Sequence, residues 1–388
     1  MRIAYVCADP GVPVFGCKGC SVHVQEMLRA LQRHGAGVDV FAARVDGAPP
    51  SGLEPLQIHY LTPVSDGDPA SHAAAIAGLN DELAGLLDRA GPYDLIYERY
   101  SLWSFAAMEH AAAAGIPGLL EVNAPLIEEQ ATYRGLRDAG GADRVAARVF
   151  RGAGVLLAVS AEVAAWLERR GAARGRVHVI PNGVDVERFR PDVPPTAPGP
   201  PGSLTVGFVG SMKPWHGLDV LAEAFDRLHQ RVRDTRLLLV GDGPARAAMR
   251  ADLAARGLAE GVVQWTGAVG PLEVPGFLTS VDVAVAPYPA GCGFYFSPLK
   301  VYEYMAAARA VVASRVGQLE AMIRHDITGL LCPPGDAAAL AAALERLRGA
   351  PAVRARLGRA ARTTVLRKHT WDAVAARVLE LAAAAVEA

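Results

Sequence analysis

The 388-residue chain reads as an α/β protein built from two doubly wound, Rossmann-like domains with a cleft between them. Three observations predict this. Short apolar runs alternate with amphipathic stretches along nearly the whole length, the pattern of parallel strands joined by helices. A strand, a glycine-bearing loop and a helix open the chain, and the same plan begins again after Ser203. Between the two lies Arg190 to Ser203, dense in proline, a residue with no amide donor and no place in a helix interior or a central strand. We therefore expect an N-terminal domain over 1–190, a second domain over 204–368, and a final helix over 369–388 available to pack back on the first domain. In such folds ligands bind beyond the carboxyl ends of the strands.

Taken in order, the first half offers strands at Ile3–Ala8, Val38–Ala43, Ile58–Leu61, Leu95–Glu98, Gly118–Val122, Val155–Val159 and Val177–Ile180. Helices fit between them at 21–34, 71–90, 104–114 and 161–170. Gly35, Gly91, Gly115 and Gly171 follow these helices, where a left-handed terminal residue costs glycine little. The second half offers strands at Leu204–Val209, Arg236–Val240, Val262–Trp265, Val281–Ala286, Val311–Ser314 and Gly329–Cys332. Helices are expected at 218–230, 244–256, 299–309, 336–348 and 351–366, and from Trp371 onward.

Composition narrows the function. With 39 basic and 40 acidic side chains the net charge is -1, without the basic footprint that nucleic-acid binding needs. No apolar run approaches the roughly 18 residues of a membrane span; Phe105 to Leu120 is broken by Glu109, His110, Gly115 and Pro117. The start, Met1-Arg2-Ile3-Ala4-Tyr5-Val6, reads as a first strand rather than a signal peptide. Cys7, Cys17, Cys20, Cys292 and Cys332 are too few for a disulfide framework in so long a chain. A cytoplasmic location is expected.

Several loops carry chemistry. Phe15 to His23 contains Gly16 and Gly19 between the first strand and a helix expected near Ser21; its backbone can approach an anion at a helix N-terminus. Cys17 and Cys20 form a Cys-x-x-Cys pair, but a structural zinc site needs four ligands, so they read as loop side chains. The second domain opens on Gly210-Ser211-Met212-Lys213-Pro214-Trp215-His216-Gly217, where Lys213 and His216 are placed to neutralise phosphate oxygens. In the segment Gly293 to Ala306, Ser297 and Pro298 mark a helix start. Glu303 follows on its first turns, where a carboxylate can accept two hydroxyls. The alternatives are a solvated lysine with a capping histidine, and a glutamate favoured by the helix dipole.

Together these segments resemble the family-4 retaining glycosyltransferases of the two-domain GT-B fold. The resemblance runs in order through Ala158-Val159-Ser160, Pro181-Asn182-Gly183-Val184-Asp185 with Phe189, Gly241-Asp242-Gly243-Pro244, Trp265-Thr266-Gly267 and Val311-Val312-Ala313-Ser314. It implies a nucleoside-diphosphate sugar as co-substrate, an acceptor on the N-terminal side, no further cofactor and no required metal. Gly16, Gly19, Gly210 and Ser211 would face the donor, residues around Val269 the base, Glu303 the ribose, and amides near Pro298 and Leu299 the phosphate and sugar. Tyr295, Ser297 and Lys300 fall in the same donor segment. The chain departs from the family pattern in three places. Of two glutamates separated by seven residues, the second is Glu303 and the first position is Tyr295. The usual arginine and lysine of the phosphate loop fall at Ser211 and His216. A histidine beside the reacting sugar appears as Asn123.

The expected reaction is glycosyl transfer with retention, with Lys213, His216 and Asn123 as the catalytic set. Two rivals fit the same segments: another GT-B reaction such as nucleotide-sugar epimerisation, and a non-catalytic nucleotide-sugar binding protein. Arg134, Arg137, Arg144, Arg148 and Arg151 surround a helix expected at 142–151, whose apolar face is too poor for membrane insertion; they read as an acidic-acceptor site or a solvated face.

Overall fold

A computed structural model describes residues 1–64, 68–258, 261–291 and 293–387; Cys292 lies outside them. The described chain divides into two compact units: Met1–Asn182 with Tyr295–Ser297 and Trp371–Ala388, and Gly183–Phe294 with Pro298–Thr370.

Unit 1 is built on seven strands, β1 (Arg2–Cys7), β2 (Gly37–Ala42), β3 (Gln57–Tyr60), β4 (Leu95–Arg99), β5 (Gly118–Val122), β6 (Val155–Ala158) and β7 (Val177–Val179). They lie in the order β3-β2-β1-β4-β5-β6-β7, every pair parallel. Its helices are α1 (Gly19–Arg33), α2 (Pro69–Ala90), α3 (Ala106–Ala114), α4 (Leu126–Tyr133), α5 (Ala139–Gly152) and α6 (Ala161–Glu168). Unit 2 repeats the plan with β8 (Leu204–Val209), β9 (Thr235–Val240), β10 (Val263–Gly267), β11 (Val283–Ala286), β12 (Ala310–Ser314) and β13 (Leu330–Cys332). Their order is β10-β9-β8-β11-β12-β13, again all parallel. Around them lie α7 (Leu218–Arg231), α8 (Arg246–Ala255), α9 (Val274–Thr279), α10 (Leu299–Ala306), α11 (Gln318–Met322), α12 (Ala337–Arg348) and α13 (Pro351–Lys368).

Parallel strands covered by helices on both faces must be apolar on both. Ile3 to Cys7 and Leu204 to Val209 are accordingly buried throughout. The strand order reverses beside β1 in unit 1 and beside β8 in unit 2, so Cys7 and Val209 each open onto a loop at a switch point, where doubly wound sheets bind ligands. Gly115 ends α3 in the left-handed conformation, φ 66°, as its position predicts.

Some segments depart from the expectation. α1 begins at Gly19 rather than near Ser21, whose hydroxyl is buried with no hydrogen-bond partner and caps nothing. α4, α9 and α11 are short helices not anticipated; α4 buries only Ile127 and so has little apolar periodicity to read. The proline-rich stretch is packed rather than a free linker. Thr196 donates to the Gly276 carbonyl at 2.9 Å and Ala197 to the Ser280 hydroxyl at 2.9 Å, while Arg236 grips the carbonyls of Ala197 and Pro198. The preceding residues also group with unit 2, where Arg362 donates to the Phe189 carbonyl at 3.0 Å. The last helix, α14 (Trp371–Glu387), belongs to unit 1. Trp371 meets the His23 ring edge-on at 4.9 Å and Asp372 pairs with Arg33 at 2.7 Å.

Glu98 on β4 is wholly buried, with the Ser104 hydroxyl on one carboxylate oxygen and no partner on the other. Burial pushes its carboxyl up to about 7 against the Ser104 hydrogen bond. An acid whose folded pKa is raised stabilises the fold below its unfolded pKa and loses that contribution as pH rises towards the folded value. Glu98→Gln keeps the Ser104 bond and removes the charge. It should raise stability by on the order of 2 kcal/mol at pH 8 and change it little at pH 4. Urea denaturation at the two pH values checks this; equal effects at both would refute it.

Candidate functional site

In unit 2, α10 is tied to the end of β8 by one side chain. The Tyr304 hydroxyl accepts from the Val209 amide at 2.9 Å and donates to the Val209 carbonyl at 3.1 Å. Residues four apart share a helix face, so Lys300 stands on the same side one turn earlier. Its ammonium lies 4.3 Å from the centre of the Phe208 ring, 5.7 Å from that of Tyr288 and 3.4 Å from both ring nitrogens of His216. It is packed against Gly210, which has φ 137°; a Cβ there would stand 3.3 Å from Nζ. Burial pushes the Lys300 ammonium down to about 7, with Glu303 opposing the shift.

The loop after Gly210 closes in a tight turn over Pro214–His216. The buried His216 ring donates through Nδ1 to the Ser211 carbonyl. Burial and then the Lys300 charge push this imidazole down to about 3, so it is neutral at pH 7. The expected cation pair of Lys213 and His216 therefore supplies one charge, not two. Lys213 is half-buried, 5.8 Å from the centre of the Trp215 ring. Glu303 is half-buried on α10, and Val269 half-buried in the loop after β10. Pro298 stands at the N-cap of α10 without a side-chain cap, leaving Leu299 to open the helix.

In unit 1 the loop holding Gly16 is pinned by Gln25 of α1, which donates to the carbonyls of Val14 at 2.9 Å and Gly16 at 2.8 Å. α1 starts at Gly19 with no side-chain cap. Beneath it, Glu121 at the end of β5 gathers four donors: His23 Nε2 at 2.8 Å, Arg99 at 3.0 Å, the Tyr97 hydroxyl and the Asn123 amide. Burial alone would raise this carboxyl; His23, Arg99 and Tyr97 outweigh it and hold it well below the usual carboxylate range. Tyr295 and Ser297, expected beside the donor, are taken up within unit 1. The Tyr295 hydroxyl donates to Glu129 at 2.8 Å, and Ser297 bonds the Asn182 amide and side chain at 3.1 Å. Cys17 and Cys20 are free thiols.

Unit 1 also holds a cavity of about 680 Å³ beyond the carboxyl ends of β1 and β4, with Asp9, Asp68, His72, Trp103, Arg134 and Arg137 on its walls. The His72 ring meets Trp103 edge-on at 4.7 Å. Asp9 accepts from the Gly11 amide at 2.7 Å, and Asp138, also on the wall, from the Gly141 amide at 2.7 Å.

Residues 18–188 match the family described as Glycosyltransferase Family 4, and residues 203–349 match Glycosyl transferases group 1. The chain is 30% identical to the D-inositol 3-phosphate glycosyltransferase of Streptomyces avermitilis, over 95% of this chain and 84% of that one. The enzyme of the same name from Pseudarthrobacter chlorophenolicus is 29% identical over 95% and 91%. The chain belongs to the family-4 glycosyltransferases. Solved structures agree on the fold. Sucrose-phosphate synthase from Thermosynechococcus elongatus superposes with a TM-score of 0.72 at 22% identity, covering 98% of both chains. Anabaena HepE, in complex with UDP, gives 0.72 at 19% over 99% and 100%.

For this glycosyltransferase, sequence reasoning missed Arg99, Glu121, Tyr304 and the aromatic walls around Lys300. The four-residue spacing of Lys300 and Tyr304 was the one available signal. Among the described residues no group of three or more His, Cys, Asp and Glu side chains is arranged to hold a metal ion. Glu121→Gln should cost on the order of 3 kcal/mol, because it leaves Arg99 almost buried without its counter-charge. Urea unfolding measures this, and a loss under about 1 kcal/mol would show that Arg99 finds other compensation.

Proposed function

We propose that this glycosyltransferase moves a sugar from a nucleoside-diphosphate donor to a hydroxyl acceptor with retention of configuration. The observation that carries the donor reading is the seat in unit 2. A lysine ammonium, the Gly210 backbone and the uncapped start of α10 converge at the carboxyl end of β8, with Glu303 one turn along the helix. That grouping suits a diphosphate and a ribose: cation and amides for the phosphates, a carboxylate for the hydroxyls.

In this reading the bond from the sugar's anomeric carbon to the phosphate oxygen breaks, and the acceptor oxygen bonds that carbon from the same face. The acceptor's proton passes to the departing phosphate oxygen. No protein nucleophile is needed; the chain positions both substrates and stabilises the charge growing on the diphosphate. Asn123, held by Glu121, would present its amide oxygen to the reacting sugar.

The unit 1 cavity is the candidate acceptor seat. Trp103 and His72 offer ring faces, and Arg134, which lies 3.7 Å from Glu129, and Arg137 offer positive charge, while Asp9, Asp68 and Asp138 each accept from a backbone amide. A ring polyol bearing an anionic group fits these walls, in keeping with relatives named for D-inositol 3-phosphate. Two experiments test the reading. Glu303→Ala should weaken nucleotide binding by about 1–3 kcal/mol, the cost of stranding hydrogen-bonded groups; unchanged affinity in calorimetry of the folded variant would remove Glu303 from the ribose. Proton NMR of the product formed from an α-linked donor should give an α-linked product; a β-linked product would rule out retention.

A further inference from the structure

We propose that Lys300, rather than the loop residues Lys213 and His216, is the cation that receives the donor diphosphate. This rests on the nucleotide-sugar reading above and names the residue that would carry its main charge.

A lysine ammonium is strongly hydrated, and folding normally leaves it in water or beside a carboxylate. Here the Nζ of Lys300 has two aromatic rings, a neutral imidazole and the Gly210 backbone around it. Among the described residues no carboxylate forms an ion pair with it. Such a charge costs stability in the free protein, which is the cost of a site prepared for an anion. The placement is built rather than incidental. Tyr304 fastens the helix to Val209, its four-residue offset delivers Lys300 to Gly210, and glycine at 210 leaves the space that Nζ fills.

The neighbouring loop cannot do the same work. His216 is neutral, its Nδ1 committed to Ser211, and a second cation at its ring would meet Lys300 at 3.4 Å. Lys213 lies 5.8 Å from the centre of the Trp215 ring and acts on His216 only after burial and Lys300. Positions 216 and 300 thus share one pocket for one charge. This makes a specific prediction: the charge can be moved. A lysine at 216 should take over when Lys300 is removed.

Calorimetric titration with UDP, GDP, ADP and inorganic pyrophosphate provides the test, at pH 6.0, where an ammonium pushed down to about 7 is still charged, on wild type, Lys300→Met, Lys213→Ala and the double variant Lys300→Met with His216→Lys. Lys300→Met should weaken the best nucleotide diphosphate at least tenfold. It should also raise the melting temperature, since it removes a desolvated charge, an outcome that a merely structural lysine would not give. Lys213→Ala should weaken nucleotide binding less than Lys300→Met does, and the double variant should regain most of the lost affinity. If wild type binds a nucleotide and Lys300→Met binds it within twofold, Lys300 is not the receiving cation and the donor reading survives. If wild type binds none of the four probes, the donor reading falls and this assignment with it.

Discussion

The Tyr304 hydroxyl meets both polar groups of Val209, at the point where β8 leaves its sheet for the loop. A buried amide and carbonyl left unpaired there would each cost about 1–3 kcal/mol, so the phenol is held as firmly as it holds. The rest of the unit 2 site depends on that contact. It sets the start of α10 against the carboxyl end of the central strand, puts Lys300 over Phe208 and beside Gly210, and leaves Glu303 on the next face of the helix. The site is thus organised by a helix locked to a strand, with the loop residues fitted around it.

Unit 1 organises its polar centre differently. Glu121 is buried but satisfied by four donors from β4, α1 and the loop after β5. Breaking such a network leaves buried charge exposed to a low dielectric, and its worth lies in fixing geometry. It holds the Asn123 amide, and it reaches α14 through the contact of His23 with Trp371. One unit therefore keeps a buried charge within a full set of partners, the other a buried ammonium that Glu303 favours without forming an ion pair. That contrast matches a positioning role for Glu121 and an anion-receiving role for Lys300.

Much of this was legible in the sequence because parallel sheets are written as near-continuous apolar runs. Strands such as Leu204–Val209 and Gly118–Val122 coincide with the structure at both ends. Elements with few buried residues were not legible: α4 has one, and its run of Glu128, Glu129 and Gln130 carries no helical stripe. The role of the proline-rich stretch was hidden because Arg236, on a strand far along the chain, holds its carbonyls. The site shows the same division. The loop at Gly210 and the start of α10 were readable from turn and capping chemistry. That His216 would be neutral was not, since its pKa is set by burial and by a lysine 84 residues away. Tyr295 and Ser297 lie in a donor motif by sequence, yet their hydrogen bonds are made to Glu129 and Asn182.

The central claim is that the donor's diphosphate lodges against α10 and the Gly210 loop of unit 2. A crystal structure of the protein with the nucleoside diphosphate it binds most tightly tests this directly. The account predicts phosphate oxygens at hydrogen-bond distance from Lys300 Nζ, about 3 Å, with the ribose hydroxyls on Glu303. A diphosphate held in the unit 1 cavity by Arg134 and Arg137, with Lys300 untouched, would contradict it.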